Sequence, residues 1–325
     1  MNLKIYKVKK WLIRPVYFTL CLLLNGAILA QDSTVVAQEA ITPVAKAKPV
    51  KNTFEGIWII DNQTVMVSNK GTFEMDILHR FGTIKNKYED LWGFWAPSNI
   101  RLGFSYVPIN NLLVGFSLTK AFSTWDVYGK YAIIKQTKGK YPVSATYFGD
   151  IAIDSRKKDN FEHFADRVMY FNQLIIARKI TEKLSVQIAP SQTHINVANG
   201  YYTDDSEPIN DHILKSKLNH NHFALGVSAR YKLKESMAII VNYDQPLTKH
   251  PYYYTDPTTK KVEDSNPKPN LSFGIDLTTS NHSFQIFMGN YSALSPQRNN
   301  LFNKNDFKDL GQFLIGFNIT RLANF

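Results

Sequence analysis

Apolar side chains recur at every second position through most of the chain, in runs of about ten residues separated by polar connections. The run "TFEMDILHRF" places Phe73, Met75 and Ile77 on one face and Glu74, Asp76 and Arg80 on the other. "IRLGFSYV" separates Ile100, Leu102, Phe104 and Tyr106 from Arg101 and Gly103. "WDVYGKYAI" sets Trp125, Val127, Tyr131 and Ile133 against Asp126, Tyr128 and Lys130, and "VSATYFGDIAI" sets Val143, Ala145, Tyr147 and Ile151 against Ser144, Thr146 and Asp150. In "FALGVSARY", "MAIIVNYD" and "LSFGIDL" the polar face carries Arg230, Asp244 and Asp276. "VMYFNQLIIA" is apolar on both faces; its outward set is expected to be Val168, Tyr170, Leu174 and Ile176. The tail "GQFLIGFNITRLANF" repeats the pattern, with Phe313, Ile315, Phe317 and Ile319 facing one way and an aromatic, Phe325, at its end.

Adding "LLVGFSL", "LSVQIA" and "FQIFMG" brings the count to twelve strands, and the joins between them carry a second pattern. "PINN", "KQTKGKYP", "KITEK", "KLKES" and "TTSNH" read as short turns, built from Asn, Gly, Pro, Ser and Lys. "GTIKNKYEDLWGFWAPSN", "TKAFST", "DSRKKDNFEHFAD" and the stretches 190–221, 245–270 and 290–311 read as the longer joins, so that long and short alternate. A soluble sandwich has no reason to lengthen every second connection, and its apolar faces must meet each other. A sheet in hydrocarbon must close on itself, because no water satisfies its edge N–H and C=O groups. The expectation is an all-β fold: one antiparallel up-and-down transmembrane β-barrel of about 12 strands over residues 71–325, with short periplasmic turns and long extracellular loops. Its outward face would meet outer-membrane lipid.

The first residues change the picture of location. Lys4, Lys7, Lys9, Lys10 and Arg14 precede an apolar stretch from Val16 to Leu24, and Ala30 offers a cleavage context, so residues 1–30 are expected to be a signal peptide. The one cysteine, Cys21, lies inside that stretch, which leaves no thiol chemistry or disulfide to the remainder. The formal charge of +11 falls to +6 once the five basic residues of the leader are set aside, 33 basic against 27 acidic. The basic residues are scattered, which argues against nucleic acid as a partner. Residues 31–53, rich in Ala, Val, Lys and Pro, read as a flexible periplasmic linker. Residues 54–70 are too apolar for a free linker and are expected to pack on the periplasmic side, at the barrel mouth.

The segments "TFEMDILHRFG", "IRLGFSYV", "LIIARK", "FALGVSARYKL" and "IGFNITR" together resemble a Bacteroidota family of membrane-bound β-barrel proteins whose shared domain has no assigned function. The resemblance runs from about Gly56 to the C-terminus. It implies an outer-membrane barrel and no activity. Phe325 also resembles the C-terminal aromatic by which barrel-insertion machinery recognises its clients.

Candidate chemistry is confined to a few places. No G-x-S-x-G elbow is present, and His79 and His194 have no Ser and carboxylate at triad spacing, so no catalytic residue and no enzyme is expected. His220 and His222, with His212 nearby, suggest a loop metal site only weakly, and the expectation is an exposed loop end with no metal or cofactor. Tyr252, Tyr253 and Tyr254 are expected to pack within their own loop. The inward register is more informative: Glu74, Asp76, Arg80, Arg101, Asp126, Lys130, Asp150, Arg230, Asp244 and Asp276 are the candidate lumen-lining residues. Charges of both signs belong in a lumen and not against lipid. They would either line a narrow polar path for a small solute or cross-link a largely filled interior. The alternative role is a structural or interaction barrel that binds a protein partner through its loops or linker.

Overall fold

The computed structural model describes residues 48–197, 201–202, 214–215, 219–250, 253–255, 262–264 and 266–324. The expected signal peptide, most of the linker, His212, Tyr252 and Phe325 lie outside the described residues.

Twelve strands close into one antiparallel barrel. In chain order they are β1 (Thr72–Thr83), β2 (Asn99–Ile109), β3 (Leu112–Thr119), β4 (Thr124–Ile134), β5 (Ser144–Asp154), β6 (Val168–Lys179), β7 (Leu184–Ile195), β8 (Asn221–Lys234), β9 (Met237–Pro246), β10 (Asn270–Thr278), β11 (His282–Gly289) and β12 (Leu314–Asn324). Each strand pairs with its neighbours in sequence, and β12 pairs with β1 to remove the last edge, with Ile319 opposite Ile77. Closure is what the bilayer demands of any sheet.

The period-2 pattern survives into the structure. Along β1 buried Thr72, Glu74, Asp76, Leu78 and Arg80 alternate with partly exposed Phe73, Met75, Ile77 and His79. Along β4 buried Asp126, Tyr128 and Lys130 alternate with exposed Trp125, Val127 and Tyr131. Exposed aromatics form two outward belts: Trp125 and Tyr170 toward the long connections, and Tyr106, Tyr131 and Tyr231 toward the tight turns. Such belts mark the two interfaces of a membrane. His79 stacks on Phe317 with ring centroids 4.9 Å apart and stays half-buried on the outward face.

Three details differ from the sequence expectation. Strand β7 continues through Pro190 to Ile195, so the following connection begins at 196 rather than 190. Pro190 is tolerated because its pairing with β6 lapses there, between Gln173–Ser191 and Ile176–Ile188, while β8 still pairs through Leu225. The alternation of long and short joins has an exception: on the long side β3 and β4 are joined only by residues 120–123, whereas residues 135–143 on the tight side are longer. Val168 keeps the outward register, opposite Ile153, but is buried rather than lipid-exposed; the 3-10 turn Phe164–Arg167 runs directly into β6, and the alternation of burial starts only after Met169.

Two of the long connections carry small two-stranded hairpins, Tyr201–Tyr202 with Leu214–Lys215 and Tyr253–Thr255 with Val262–Asp264. The connection between β11 and β12 contains the short helix α1 (Pro296–Phe302). Ahead of β1, Trp58–Ile59 and Asn62–Gln63 form a minimal hairpin. That hairpin decides what the barrel interior is.

Candidate functional site

Residues 53–67 lie inside the barrel. Phe54, Ile57, Trp58, Ile59, Ile60, Val65 and Val67 are all buried, in one apolar cluster with the inward side chains Leu78, Tyr128, Phe148, Phe171, Ile175 and Phe287. Each large apolar side chain so buried contributes about 1.5–3 kcal/mol. The segment expected to pack at the mouth therefore reaches far into the lumen. It enters at the tight-turn end, where Glu55 pairs with Arg230 near the end of β8 at 3.2 Å. It turns at Ile60–Asp61, where Asp61 meets Ser272 and Asn270 at the long-connection end of β10, and returns past Val65, whose carbonyl accepts from Thr146 at 2.9 Å.

The turn is strained and gripped. Ile60 sits at φ 52°, a region that β-branched residues rarely adopt. Its N–H donates to Gln285 Oε1 at 2.9 Å, and its carbonyl accepts from Asn318 Nδ2 at 2.8 Å. Asp61 accepts from Arg80 Nη2 at 2.8 Å and from Ser272 Oγ at 3.1 Å. Asn62 Nδ2 donates to Asn242 Oδ1 and Asp244 Oδ1 at 2.7 and 2.6 Å. Gln63 accepts from Lys130 Nζ at 3.1 Å through its side chain and from Gln187 Nε2 at 2.8 Å through its carbonyl. The wall makes room where this happens: a Cβ on Gly226 would meet Asn62 Nδ2 at 3.1 Å and Asp244 Oδ1 at 2.9 Å, and one on Gly316 would meet the Phe287 ring at 2.7 Å. Inward glycines here admit close packing.

All ten candidate lumen residues have inward side chains, none more than 6% exposed. They divide by partner. Arg80, Lys130, Arg230 and Asp244 hold the hairpin directly, and Glu74 accepts from Ser68 at 3.5 Å just after it. Asp150 accepts from Gln297 of α1 at 2.6 Å, so it faces the filling from the other end. The remainder bond within the wall. Arg101 pairs with Asp126 at 2.8 Å, Asp126 also accepts from Ser117, and Asp76 accepts from Thr320 at 3.0 Å. Asp276 accepts from Arg230 Nε at 3.1 Å and from Ser283 at 2.9 Å. Arg80 lies 4.3 Å over Phe287, and Arg101 5.0 Å over Trp58, so two guanidinium groups are stabilised by aromatic faces as well as by carboxylates.

Sequence reasoning missed the other half of this network: Asp61, Asn62 and Gln63 in the hairpin, and the uncharged Asn270, Ser272, Gln285 and Asn318 on the wall. A signal was present. Asp61-Asn62 between the apolar "GIWII" and "TVMV" is a turn signal flanked by strand-forming residues.

His220 and His222 do not converge. His220 stacks on His194 at 5.7 Å, whereas His222 is buried and meets His250 edge-on at 5.3 Å. Among the described residues no group of three or more His, Cys, Asp or Glu is placed to hold a metal ion.

The membrane bound beta barrel domain, a domain of unknown function (DUF5777), matches residues 54–322. No curated relative matches the chain. Among solved structures, the NanC porin is similar at 12% identity and TM-score 0.44, over 78% of this chain and 99% of that one. The COG4313 outer membrane channel from Pseudomonas putida F1 is similar at 10% identity and TM-score 0.44, over 79% and 97%. The KdgM porin in complex with disordered oligogalacturonate is similar at 10% identity and TM-score 0.40, over 78% and 99%.

Proposed function

The chain belongs to the family of membrane bound beta barrel domains, and from that premise we propose that it is a narrow outer-membrane channel whose resting state is shut by its own N-terminal hairpin. The observation that carries this reading is the grip on the turn: Arg80 on Asp61, with Gln285 and Asn318 on the strained Ile60. A barrel filled for good is served as well or better by apolar packing, since buried ion pairs add little net stability. Here the filling is held by charged and amide groups in addition to its apolar cluster, and those polar ties converge on its turn. Withdrawing it leaves Arg80, Lys130, Arg230 and Asp244 lining a polar path of mixed sign. The solute is small and polar.

The same reading sets the chain in its membrane. The basic and apolar leader directs export and is cleaved near Ala30, the tight turns face the periplasm, and the hairpin enters from that side. The C-terminal strand, ending on Phe325, engages the insertion machinery. No catalytic step is part of this reading: the outward His194 pairs with Asn221 at 2.9 Å, and its ring contacts among the described residues are Tyr170 and His220.

Single-channel conductance in planar bilayers tests the channel. The full chain is expected to be quiet with rare openings. A chain lacking 53–67, and the milder Asp61→Ala, should conduct steadily. A cysteine pair at Asn62 and Asn242, now joined by a 2.7 Å hydrogen bond, should abolish openings when oxidised. If the shortened chain, carrying also Gln297→Ala and Arg298→Ala to loosen the α1 segment at the other end, shows the heat-modifiable migration of a folded barrel and does not conduct, the channel reading fails. The second reading, an interaction barrel, then stands; it is favoured by Leu294 of the β11–β12 connection sharing one apolar cluster with the hairpin.

A further inference from the structure

Beyond the lumen, the outer surface of the wall carries a feature that a lipid-facing sheet has no structural need for. On β4 to β8 two outward rows lie side by side. One runs Val127, Ile151, Tyr170, His194, Asn221; the other runs Gly129, Gly149, Asn172, Gln192. Gly129 and Gly149 face each other across the β4–β5 ladder, so neither projects a side chain outward; the Tyr147 ring leans over Gly149, 3.4 Å from where a Cβ would stand, and the space over Gly129 is open. The result is a trough of about 710 Å³ on the outer face.

The trough is amphipathic along its length. At one end, beside the long connections, His194 and Asn221 stand at or next to the ends of β7 and β8, with Gln192 and Asn172 below them. Gln192 Nε2 donates to Asn221 Oδ1 at 2.9 Å, His194 Nδ1 meets the same oxygen at 2.9 Å, and Tyr147 donates to Asn172 Oδ1 at 2.5 Å. At the other end, toward the tight turns, the lining is Leu112 and Tyr131. Lys130 and Asp150 border the trough only through their backbone, because their side chains are buried on the lumen side. At mid-depth elsewhere the outward face is apolar, as at Val241, Phe273, Ile275 and Ile286; His79 and Gln245, the latter bonded by Tyr243, are single polar side chains nearer the long-connection rim. Amide side chains set against hydrocarbon carry a desolvation cost unless something answers them. Among the described residues nothing takes up the N–H groups of the Asn172 amide.

The geometry points to a binding site for one membrane lipid with an uncharged headgroup rich in hydroxyl or amide groups. Its polar head meets Asn172, Gln192, His194 and Asn221 at the long-connection rim, and an acyl chain lies over Gly129, beside the Tyr147 ring. Three features select this occupant. The surface faces the bilayer, so lipid is the molecule at hand. The polar-to-apolar direction matches that of a lipid in the leaflet on the long-connection side. The donor set is neutral apart from one imidazole, so it suits hydroxyl and amide groups better than phosphate.

Native mass spectrometry of the full-length chain in detergent tests it, with monoglucosyl-diacylglycerol and a phosphatidylcholine of the same acyl chains as probes at equal concentration. One glycolipid should be retained per barrel, with a preference of about tenfold or more. The double variant Asn172→Leu/Gln192→Leu should lose that preference, and Gly129→Leu should lose retention of either lipid. Ile275→Leu, on a remote part of the outward face, should change nothing. Since leucine facing lipid is favourable, the double variant should fold even if Gly129→Leu does not, with heat-modifiable migration as the check. Equal retention of both probes, or an unchanged preference in the double variant, overturns the proposal. Cross-linking of Gly149→Cys chains to one another would overturn it too, because the trough would then be the seat of a second copy.

Discussion

The hairpin of residues 53–67 and the segment that carries α1 both fill the barrel, one from the tight-turn end and one from the long-connection end, but they are held by different partners. The hairpin's polar groups are answered by the wall: by Arg80, Lys130, Thr146, Gln187, Asn242, Gln285 and Asn318, on seven different strands. The α1 segment divides its bonds between itself and its surroundings: Asn99 donates to the Ser292 and Ala293 carbonyls, and Asn290 and Asn303 bond the backbone of residues 268–271. Tyr291 bonds Asn300 at 3.1 Å, the Ala293 N–H bonds Asn299 at 3.0 Å, Ser295 bonds Gln297 at 2.7 Å, and Asn290 bonds the Asn305 carbonyl at 2.7 Å. Its direct ties to inward charges are Gln297 to Asp150 and Arg298 to Asp154. A ladder of two residues on each side has no stability of its own. The hairpin keeps its shape only while the wall grips it, and leaving the wall means unfolding. The α1 segment has internal bonds that would survive a shift, so only its ties to Asn99, to the backbone of 268–271 and to Asp150 and Asp154 would have to break. Of the two, the hairpin is the all-or-none closure.

The largest expected effect breaks that grip. Arg80→Ala leaves Asp61 buried without its cation, a change that costs about 3–5 kcal/mol when a buried pair loses one partner. Denaturant midpoint should fall, and a cysteine placed at Asn62 should become reactive to a water-soluble maleimide. Unchanged protection at that position would mean the hairpin is held by its apolar side chains alone.

Next is a change that avoids both closures. Ile275 faces lipid opposite Ile239 and Ile286, and an arginine at mid-depth costs about 2–4 kcal/mol. Ile275→Arg should reduce the folded fraction on a heat-modifiability gel while leaving Asn62 protected in the molecules that fold. Normal folding would shift the register assignment by one residue.

A smaller effect is expected from Arg298→Ala. Arg298 bonds Asp154 at 2.8 Å and lies 3.6 Å over Phe122, but Asp154 keeps Arg156 at 2.8 Å. The loss should be about 1–2 kcal/mol, with cysteine reactivity rising in the α1 segment and not at Asn62. Exposure of Asn62 in this variant would show that the two closures act as one.

The smallest is a pH effect at the hairpin's entry. Burial pushes the Glu55 carboxyl up from its ordinary value, with Arg230 pulling it partly back. A carboxyl whose docked pKa is raised favours docking fully below its ordinary pKa, and that contribution is lost as pH rises through the raised value. Acidification from neutral toward about pH 4.3 should therefore shorten openings, and Glu55→Gln should flatten the dependence. Openings that lengthen on acidification would reverse the sign and place the controlling group elsewhere.

The barrel itself was legible because its wall separates two media, so each side chain's face is set by a local rule. Trp125 and Asp126 are neighbours in sequence and opposites in environment, and the alternation around them needs no tertiary knowledge. The tight turns at 110–111, 180–183 and 235–236 were equally plain. The end of β7 was not, because Pro190 reads as a breaker until one sees that a single ladder can lapse there while the other continues. His220 and His222 share a face only in an extended chain, and the start of β8 between them sends each to a different partner.

By itself the sequence determined a membrane barrel of twelve strands, its register, and the inward placement of both signs of charge, since these follow from a period of two and from the absence of water in hydrocarbon. Only the tertiary structure decided what those charges hold. The Asn318 side chain and the Ile60 carbonyl are separated by 258 positions and meet at 2.8 Å. Contacts of that kind exist only after β12 has closed on β1 and given the lumen a fixed width. Whether an inward arginine faces water, another strand or the chain's own N-terminal segment depends on that width and on which segment fills it, and no local pattern encodes either.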